Sequence, residues 1–361
     1  MAKTGAPRSP WVEGGSFAVV AAVLFGATMP WLKRAGAGVG PFWTAAALYV
    51  GAATIASLSL PPPGRARRDA PLRLRHVPRV ALVASLGAFV APALLVWGLA
   101  RSSGAPASLL LNLEAAFTIA LGALLHREHV GGRVALAAAS IGAGGAVLVL
   151  SRGTGGGAAL LPLGAVALAT FAWSADNALG RPLADLEPNA VVAAKSALGA
   201  ALSFALAAAT GDAPPRDVAT ALSLAACGAA GYGLSLRFYL LAQRRLGAGR
   251  AASLFGIAPF FGAALSGALG EPLGGAPTAI AAALMAFGAW LHVGERHEHA
   301  HTHARLTHEH AHTHDDEHHA HAHEPMPEGP HSHVHAHEPL AHAHPHAPDL
   351  HHRHAHRDDE A

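Results

Sequence analysis

The sequence predicts an all-α integral membrane protein of about ten transmembrane helices, arranged as two inverted five-helix repeats and followed by a disordered His-rich tail. Three observations lead to this prediction: long apolar stretches, a duplicated pattern within them, and an abrupt change of composition near residue 295. Hydrophobic residues make up 52% of the 361 residues and charged residues 13%. This charged fraction is about half that of ordinary soluble domains.

The apolar stretches are long enough to cross a bilayer as helices. About 20 residues at about 1.5 Å per residue match a hydrocarbon core of roughly 30 Å. Their high content of Ala, Gly and Leu suits close packing between helices in lipid. The stretches cover residues 16–32, 41–60, 79–99, 105–125, 133–150, 160–179, 190–209, 218–241, 248–269 and 276–293.

Residues 104–128 and 247–271 are two versions of one pattern. Each begins with small residues that include an Ala-Ser step, continues through an apolar run, and ends at a glutamate, Glu128 or Glu271. Because each half contains an odd number of spans, we expect the second half to lie upside down relative to the first. Inverted repeats are a transporter architecture, and their substrate sites lie near the bilayer midplane between the repeats.

The division of the chain follows from this duplication. We expect a cytoplasmic N-terminus at 1–15, a first repeat at 16–150, a second repeat at 151–294 and the tail at 295–361. The loop 61–79 contains six Arg residues, and such loops face the cytoplasm. Threading ten spans from this loop places both termini in the cytoplasm of a protein of the plasma (inner) membrane.

The Leu113-Glu114 and Ala258-Pro259 steps, the small-residue openings and the two five-span units resemble the EamA family of the drug/metabolite transporter (DMT) superfamily. The resemblance covers about residues 16–294. It implies a secondary carrier that moves a small metabolite or drug-like solute by alternating access. Ala115 replaces the proline that commonly follows the central glutamate of the first repeat in that family.

Polar side chains inside the spans are the candidate transport path, because a charge at membrane depth costs roughly 3 kcal/mol or more unless it is paired or hydrated. Glu114 is either a proton-coupling carboxylate or a brace of the fold. Asp176 is expected to pair with Lys195 or Arg237, and a purely structural pair is the alternative. The candidates are Asn112, Glu114, Trp173, Asp176, Asn177, Lys195, Arg237 and Tyr239. Tyr232 is a further aromatic side chain that could line a cavity or serve packing.

The tail is a different kind of segment, since 23 of the 27 histidines fall between His297 and Ala361. Their alternation with Ala, Thr, Glu and Pro leaves little to bury, so we expect disorder. No cofactor is required by the body, but neutral imidazole binds Zn, Ni and Co. The candidate metal ligands are His297, His299, His301, His303, His308, His310, His312, His314, His318, His319, His321, His323, His331, His333, His335 and His337.

Three functions remain open from the sequence. They are a solute carrier with a metal-binding tail that regulates it, a divalent transition-metal (Ni, Co or Zn) transporter, and a membrane-anchored metal buffer or sensor. The spans lack a His/Asp/Glu cluster for a dehydrated metal, which weakens the second. With no nucleotide-binding loop or nucleophile motif, we expect no enzyme activity and no nucleic-acid partner. The expected partners are the lipid bilayer, a small solute, transition-metal ions and, as a candidate assembly, a second copy in a homodimer.

Overall fold

The computed structural model describes residues 10–61, 69–126, 130–153, 160–183, 186–246, 251, 254–293, 297–303, 306–312, 331–337 and 340–346. Before the tail, the described chain is built from helices that correspond to the ten predicted spans, numbered here first to tenth. Six are single helices: Pro10–Ala35, Pro41–Leu58, Gly132–Gly153, Leu160–Gly180, Pro188–Thr210 and Gly275–Val293, which are the first, second, fifth, sixth, seventh and tenth spans. Two single 3₁₀ turns, Leu74–His76 and Arg181–Leu183, lie between spans.

The remaining four spans are interrupted. The third span runs through Val77–Ala84, a π-helical segment Ser85–Val90 and Ala91–Ala100. The eighth span repeats this arrangement as Val218–Gly228, the π-helical Ala229–Leu234 and Ser235–Leu246. The fourth span consists of Gly104–Leu110 and Leu113–His126, and the ninth contains Ala258–Ala268 after a turn at residues 256–257.

The outer surface of the bundle is apolar, as a lipid-facing surface must be. Leu58, Leu124 and Leu161 are 79%, 77% and 71% exposed, and no packed core would leave such side chains uncovered in water. Eight helices of the described residues are long and apolar enough to cross a membrane. The sixth span has the length but ends in the polar Asp176 and Asn177, and the ninth is the shorter apolar helix.

Packing between spans follows the duplication. The second span packs against the seventh and the fifth against the tenth, so that each of these four contacts its own counterpart. The first span contacts the eighth and ninth, and the sixth contacts the third and fourth in the same way. Exchanging the two halves therefore maps these contacts onto one another, which is the behaviour of two five-helix repeats related by a pseudo-two-fold axis.

The connections between spans gather at two opposite ends. At one, here called the Lys33 end, Arg34 donates to the Leu269 carbonyl and Arg216 to the Ala37 carbonyl. At the other, called the Arg79 end, Arg79 donates to the Leu179 carbonyl and Arg133 to the Leu291 carbonyl. Successive spans therefore run in alternate directions, and the second repeat is inverted relative to the first. The described body begins and finishes at the Arg79 end.

The structure describes 28 residues of the tail, as four short strands. Strands β1 (His297–His303) and β4 (Leu340–His346) pair antiparallel, as do β2 (Leu306–His312) and β3 (His331–His337). The physical reason is the alternation of histidine with small residues, because a period of two matches the two faces of an extended strand. The other tail residues, including the candidate ligands His314, His318, His319, His321 and His323, lie outside the described residues.

Candidate transport site

A buried ion pair joins the sixth and seventh spans. Lys195 Nζ lies 2.7 Å from both Asp176 Oδ1 and Oδ2, and the two side chains are 17% and 8% exposed. Of the two partners predicted for Asp176, the structure selects Lys195. Gly87 and Gly199 permit the close approach of these spans. A Cβ on Gly87 would collide with the Asp176 carboxylate, and a Cβ on Gly199 would collide with Ala88. Both spans therefore close tightly on the third span.

Glu114 lies beside this pair and has a different environment. It occupies the first turn of the second half of the fourth span, where its Oε1 accepts a hydrogen bond of 2.8 Å from Asn177 Nδ2. Ser174 Oγ donates to its backbone carbonyl at 2.9 Å. Glu114 is half-buried and Asn177 is exposed. Among the described residues, no Lys or Arg pairs with the Glu114 carboxylate.

The π-helical segment of the third span presents an open backbone carbonyl to the site. The Ala91 N–H bonds to the Leu86 carbonyl, five residues earlier. By the same spacing, the Gly87 carbonyl would need the N–H of residue 92. Residue 92 is a proline and has no N–H. Tyr49 OH and Trp173 Nε1 donate to the Gly87 carbonyl instead, at 2.7 and 2.9 Å. Such π segments are frequent at functional sites.

Six aromatic rings, here called the aromatic cluster, continue the site between the two repeats. Its members are Phe25, Tyr49, Trp173, Tyr232, Tyr239 and Phe255, with neighbouring ring centroids 4.9–6.3 Å apart. Tyr49, Trp173 and Tyr232 are buried, whereas Phe25, Tyr239 and Phe255 are half-buried. The Tyr232 hydroxyl is fully covered and has no hydrogen-bond partner among the described residues. Tyr239 lies against Phe255, with ring centroids 4.9 Å apart.

The break in the fourth span positions Glu114. The N–H groups of Leu111, Asn112 and Glu114 bond three residues back instead of four, which tightens the chain into a turn without the family's proline. Asn112 is buried in this turn, where Nδ2 donates to the Leu109 carbonyl at 3.2 Å and lies 3.9 Å from Met285 Sδ. Its observed contacts hold the break.

Arg237 is the candidate that lies apart from the others. It is half-buried in the eighth span, and its side chain forms no hydrogen bond or ion pair with the described residues. Tyr239 follows two positions later on the same helix. At about 100° per residue, the two side chains therefore leave the helix on nearly opposite sides.

A second ionic cluster, here called the latch, closes the Lys33 end. Glu271 Oε2 accepts from Lys33 Nζ at 2.6 Å and from the Gly104 N–H at 2.8 Å. The carboxylate therefore joins the first span, the ninth–tenth loop and the N-terminus of the fourth span. Glu271 precedes the tenth span in the sequence, but its carboxylate binds the N–H at the start of the fourth. Glu128, its counterpart, lies outside the described residues.

The predicted metal ligands are histidines of the tail. In the described part of the chain, no group of three or more His, Cys, Asp or Glu side chains is placed to hold a metal ion. The strand registers oppose six pairs of histidines: His297 with His346, His299 with His344, His301 with His342, His308 with His335, His310 with His333 and His312 with His331.

Sequence reasoning missed Tyr49, Gly87, Phe25 and Phe255. None of them is charged, so a search for polar groups at membrane depth passes over them. Pro92 was an available signal, because a proline within a predicted span leaves a carbonyl one turn earlier without its donor.

The alternating spans, the two-fold contacts and the broken fourth and ninth spans define an integral membrane protein of the inverted-repeat class. The model of the EamA-like transporter family matches residues 13–151 and again residues 160–294. The chain therefore belongs to the EamA-like transporter family, whose members are membrane transporters of small solutes. The predicted resemblance is confirmed.

A solved structure described as "Crystal structure of protein" has the same fold. It shares 18% sequence identity with this chain at a TM-score of 0.56, over 77% of this chain and 96% of that one. No curated protein matches the chain.

Proposed function

We propose that this protein is a secondary carrier that moves a small organic solute across the plasma membrane by alternating access. The observation that carries the proposal is Glu114, a carboxylate without a cationic partner among the described residues, at the break of a discontinuous span. Discontinuous spans near the midplane hold substrates and coupling ions in inverted-repeat carriers. Asn112, Trp173, Asp176, Asn177, Lys195, Arg237 and Tyr239 are the proposed remainder of the path.

The two ends support a carrier that opens to one side at a time. At the Lys33 end the latch joins three segments, and Asp212 accepts hydrogen bonds from the N–H groups of Phe42 and Trp43. Toward the Arg79 end, Asn177 is exposed and Tyr239 is half-buried. The Arg-rich loop 61–79 favours the cytoplasm for this end, and the conformation proposed here is therefore inward-facing, with both termini cytoplasmic.

A labelling experiment tests this orientation. Single cysteines introduced at Ser151 and Ser332, in a Cys227→Ser background, should react with a membrane-impermeant maleimide from opposite sides of the membrane. Labelling of both from the outside would contradict the threading of ten spans.

We propose that Glu114 also binds the coupling proton. A carboxylate that alternates between a proton and a solute couples the two, because each excludes the other from the same oxygen atoms. The ion pair of Asp176 and Lys195 keeps its own charge balanced and leaves Glu114 as the net negative group of the site.

The tail is proposed to regulate transport by binding Zn, Ni or Co. The six opposed histidine pairs support this, since directly opposite residues of antiparallel strands have Cβ atoms about 4.5–5.5 Å apart. Added Zn or Ni should change solute transport in the full-length protein but not in a protein that ends at Arg296. Equal responses in both would contradict the proposal.

The carrier proposal is tested in proteoliposomes with a pH gradient and a defined mixture of amino acids, amines and organic acids. We expect accumulation of one class by the wild type and its loss in Glu114→Gln. The matched control is Asp217→Asn, which also replaces a carboxylate by its amide, at the exposed cap of the eighth span, where Asn caps equally well. Equal transport by Glu114→Gln and wild type would refute the role of Glu114.

A further inference from the structure

The carboxylate of Glu114 and the aromatic cluster together form a surface with a definite chemical preference. From their arrangement we propose that the transported solute is an organic cation with an aromatic or other flat apolar part. This inference rests on the proposed carrier function and names its substrate class.

The first argument is the charge of the site. Asp176 and Lys195 neutralise one another, with both carboxylate oxygens within 2.7 Å of the ammonium. Glu114 receives only an amide hydrogen bond on Oε1. Arg237 leaves the eighth span on nearly the opposite side from Tyr239, a member of the aromatic cluster. The site therefore offers one uncompensated negative charge, and a bound cation compensates it without a further counter-ion.

The second argument is the wall beside this charge. Phe25, Tyr239 and Phe255 are half-buried, so part of each residue remains accessible. Asn177, which donates to Glu114, lies one helical turn beyond Trp173 of the cluster. Aromatic faces attract cations through the ring quadrupole, and the attraction is strongest where water is excluded. The same rings supply apolar area for the rest of the solute.

The third argument excludes the alternatives. An organic acid would place its carboxylate next to Glu114, and like charges at that distance repel strongly in a low-dielectric site. A zwitterion needs a cationic group for its carboxylate. Lys195 is already committed to Asp176, and Arg237 leaves its helix on nearly the opposite side from Tyr239. The covered Tyr232 hydroxyl, which lacks a partner among the described residues, adds a neutral polar group to the cluster.

Three probes with one indole ring separate these classes. Tryptamine is a cation at neutral pH, tryptophan a zwitterion and indole-3-acetate an anion. We expect the purified full-length protein to bind tryptamine at least about tenfold more tightly than tryptophan, and to bind indole-3-acetate most weakly, in isothermal titration. An equal or higher affinity for tryptophan or indole-3-acetate would overturn the cation class while leaving the carrier function intact.

Two sets of variants place the probe at this surface. Glu114→Gln should weaken tryptamine binding at least about tenfold, because the charge-assisted contact is lost. Tyr239→Leu should weaken it roughly 2- to 30-fold, whereas Tyr239→Phe keeps the ring face and should bind nearly as the wild type. Thermal unfolding of each variant confirms that it remains folded.

Unchanged tryptamine affinity in folded Glu114→Gln would refute the proposal. The proposal would also be refuted if the wild type bound neither tryptamine nor phenethylamine, a second aromatic amine that is a cation at neutral pH. If transport of another solute class is then found in the proteoliposome assay, the carrier function stands and only its substrate class is wrong.

Discussion

The latch offers a test of alternating access, because Glu271→Gln changes its charge without changing its shape. Glutamine retains an oxygen for the Gly104 N–H, but it loses the charged contact with Lys33 Nζ, now 2.6 Å away. The side chains of Lys33 and Glu271 are 24% and 15% exposed. For a partly screened charged hydrogen bond, we expect a loss of about 1–2 kcal/mol. Since 1.4 kcal/mol corresponds to a tenfold change, the ratio of latched to unlatched protein should fall roughly 5- to 30-fold.

The assay is the reaction of a cysteine placed behind the latch. Ser108→Cys is nearly isosteric, and Ser108 is 1% exposed next to Gly262 of the ninth span. Glu271→Gln should raise its labelling rate with a membrane-impermeant maleimide by the same 5- to 30-fold. Arg101→Gln is the control, because Arg101 lies at the same end but stacks on Trp97 instead. An unchanged labelling rate in Glu271→Gln would show that the latch does not hold this end closed.

The pH dependence of this labelling has a definite sign. Partial burial alone would raise the pKa of Glu271, but the hydrogen bonds from Lys33 and Gly104 and the charges of Lys33 and Arg34 hold that pKa below its ordinary value of 4.5. Because the pKa of Glu271 is lower in the latched state, the ionised carboxylate stabilises that state at pH values above its ordinary pKa. This stabilisation is lost as the pH falls through the lowered pKa. The labelling rate, divided by that of a free thiol at the same pH to correct for thiolate formation, should therefore be constant from about pH 6 to 8.

Three further predictions concern the site around the third span. Lys195→Met should lower the free energy of unfolding by about 3–5 kcal/mol, because it leaves Asp176 buried without a partner. Adding Asp176→Asn to the same protein should recover much of this loss, which a double-mutant cycle measures. Gly87→Ala should lower the melting temperature and transport together, since its Cβ would collide with the Asp176 carboxylate, whereas Gly164→Ala has open space around it and should not. Trp173→Phe removes one of two donors to the Gly87 carbonyl and should cost about 1 kcal/mol in the same denaturation experiment; a loss above about 3 kcal/mol would contradict this accounting.

The ten spans and the duplication were predictable because bilayer thickness fixes helix length and because hydropathy is a local property. Some span limits were accurate, as at Pro41 and Leu160, where the second and sixth spans begin as predicted, whereas the first span begins at Pro10, six residues before its predicted start. The interruptions were not predicted. A π-helical segment depends on which carbonyl finds a donor, and for Gly87 the donors are Tyr49 and Trp173, which come from other spans.

The partner of Asp176 illustrates the same limit. The sequence left Lys195 and Arg237 as alternatives, since each lies in a span that could approach the sixth. The choice depends on close contacts of the sixth and seventh spans with the third at Gly87 and Gly199. Small residues permit such approach in many helix pairs, so their presence in an Ala- and Gly-rich sequence does not identify which pair uses them.

The comparison of the two repeats gives a physical reason to assign these polar groups to transport. Pro41 and Pro188 begin equivalent spans 147 residues apart. With the same offset, Asp176 corresponds to Met29 and Lys195 to Leu48 in the other half, and both of these are buried, at 1% and 0% exposure. The same packing role is thus filled by apolar side chains in one half of the bundle. A buried ion pair is no more stabilising than a well-packed apolar pair of similar volume. The fold therefore does not require the charges, which supports the proposal that they serve transport.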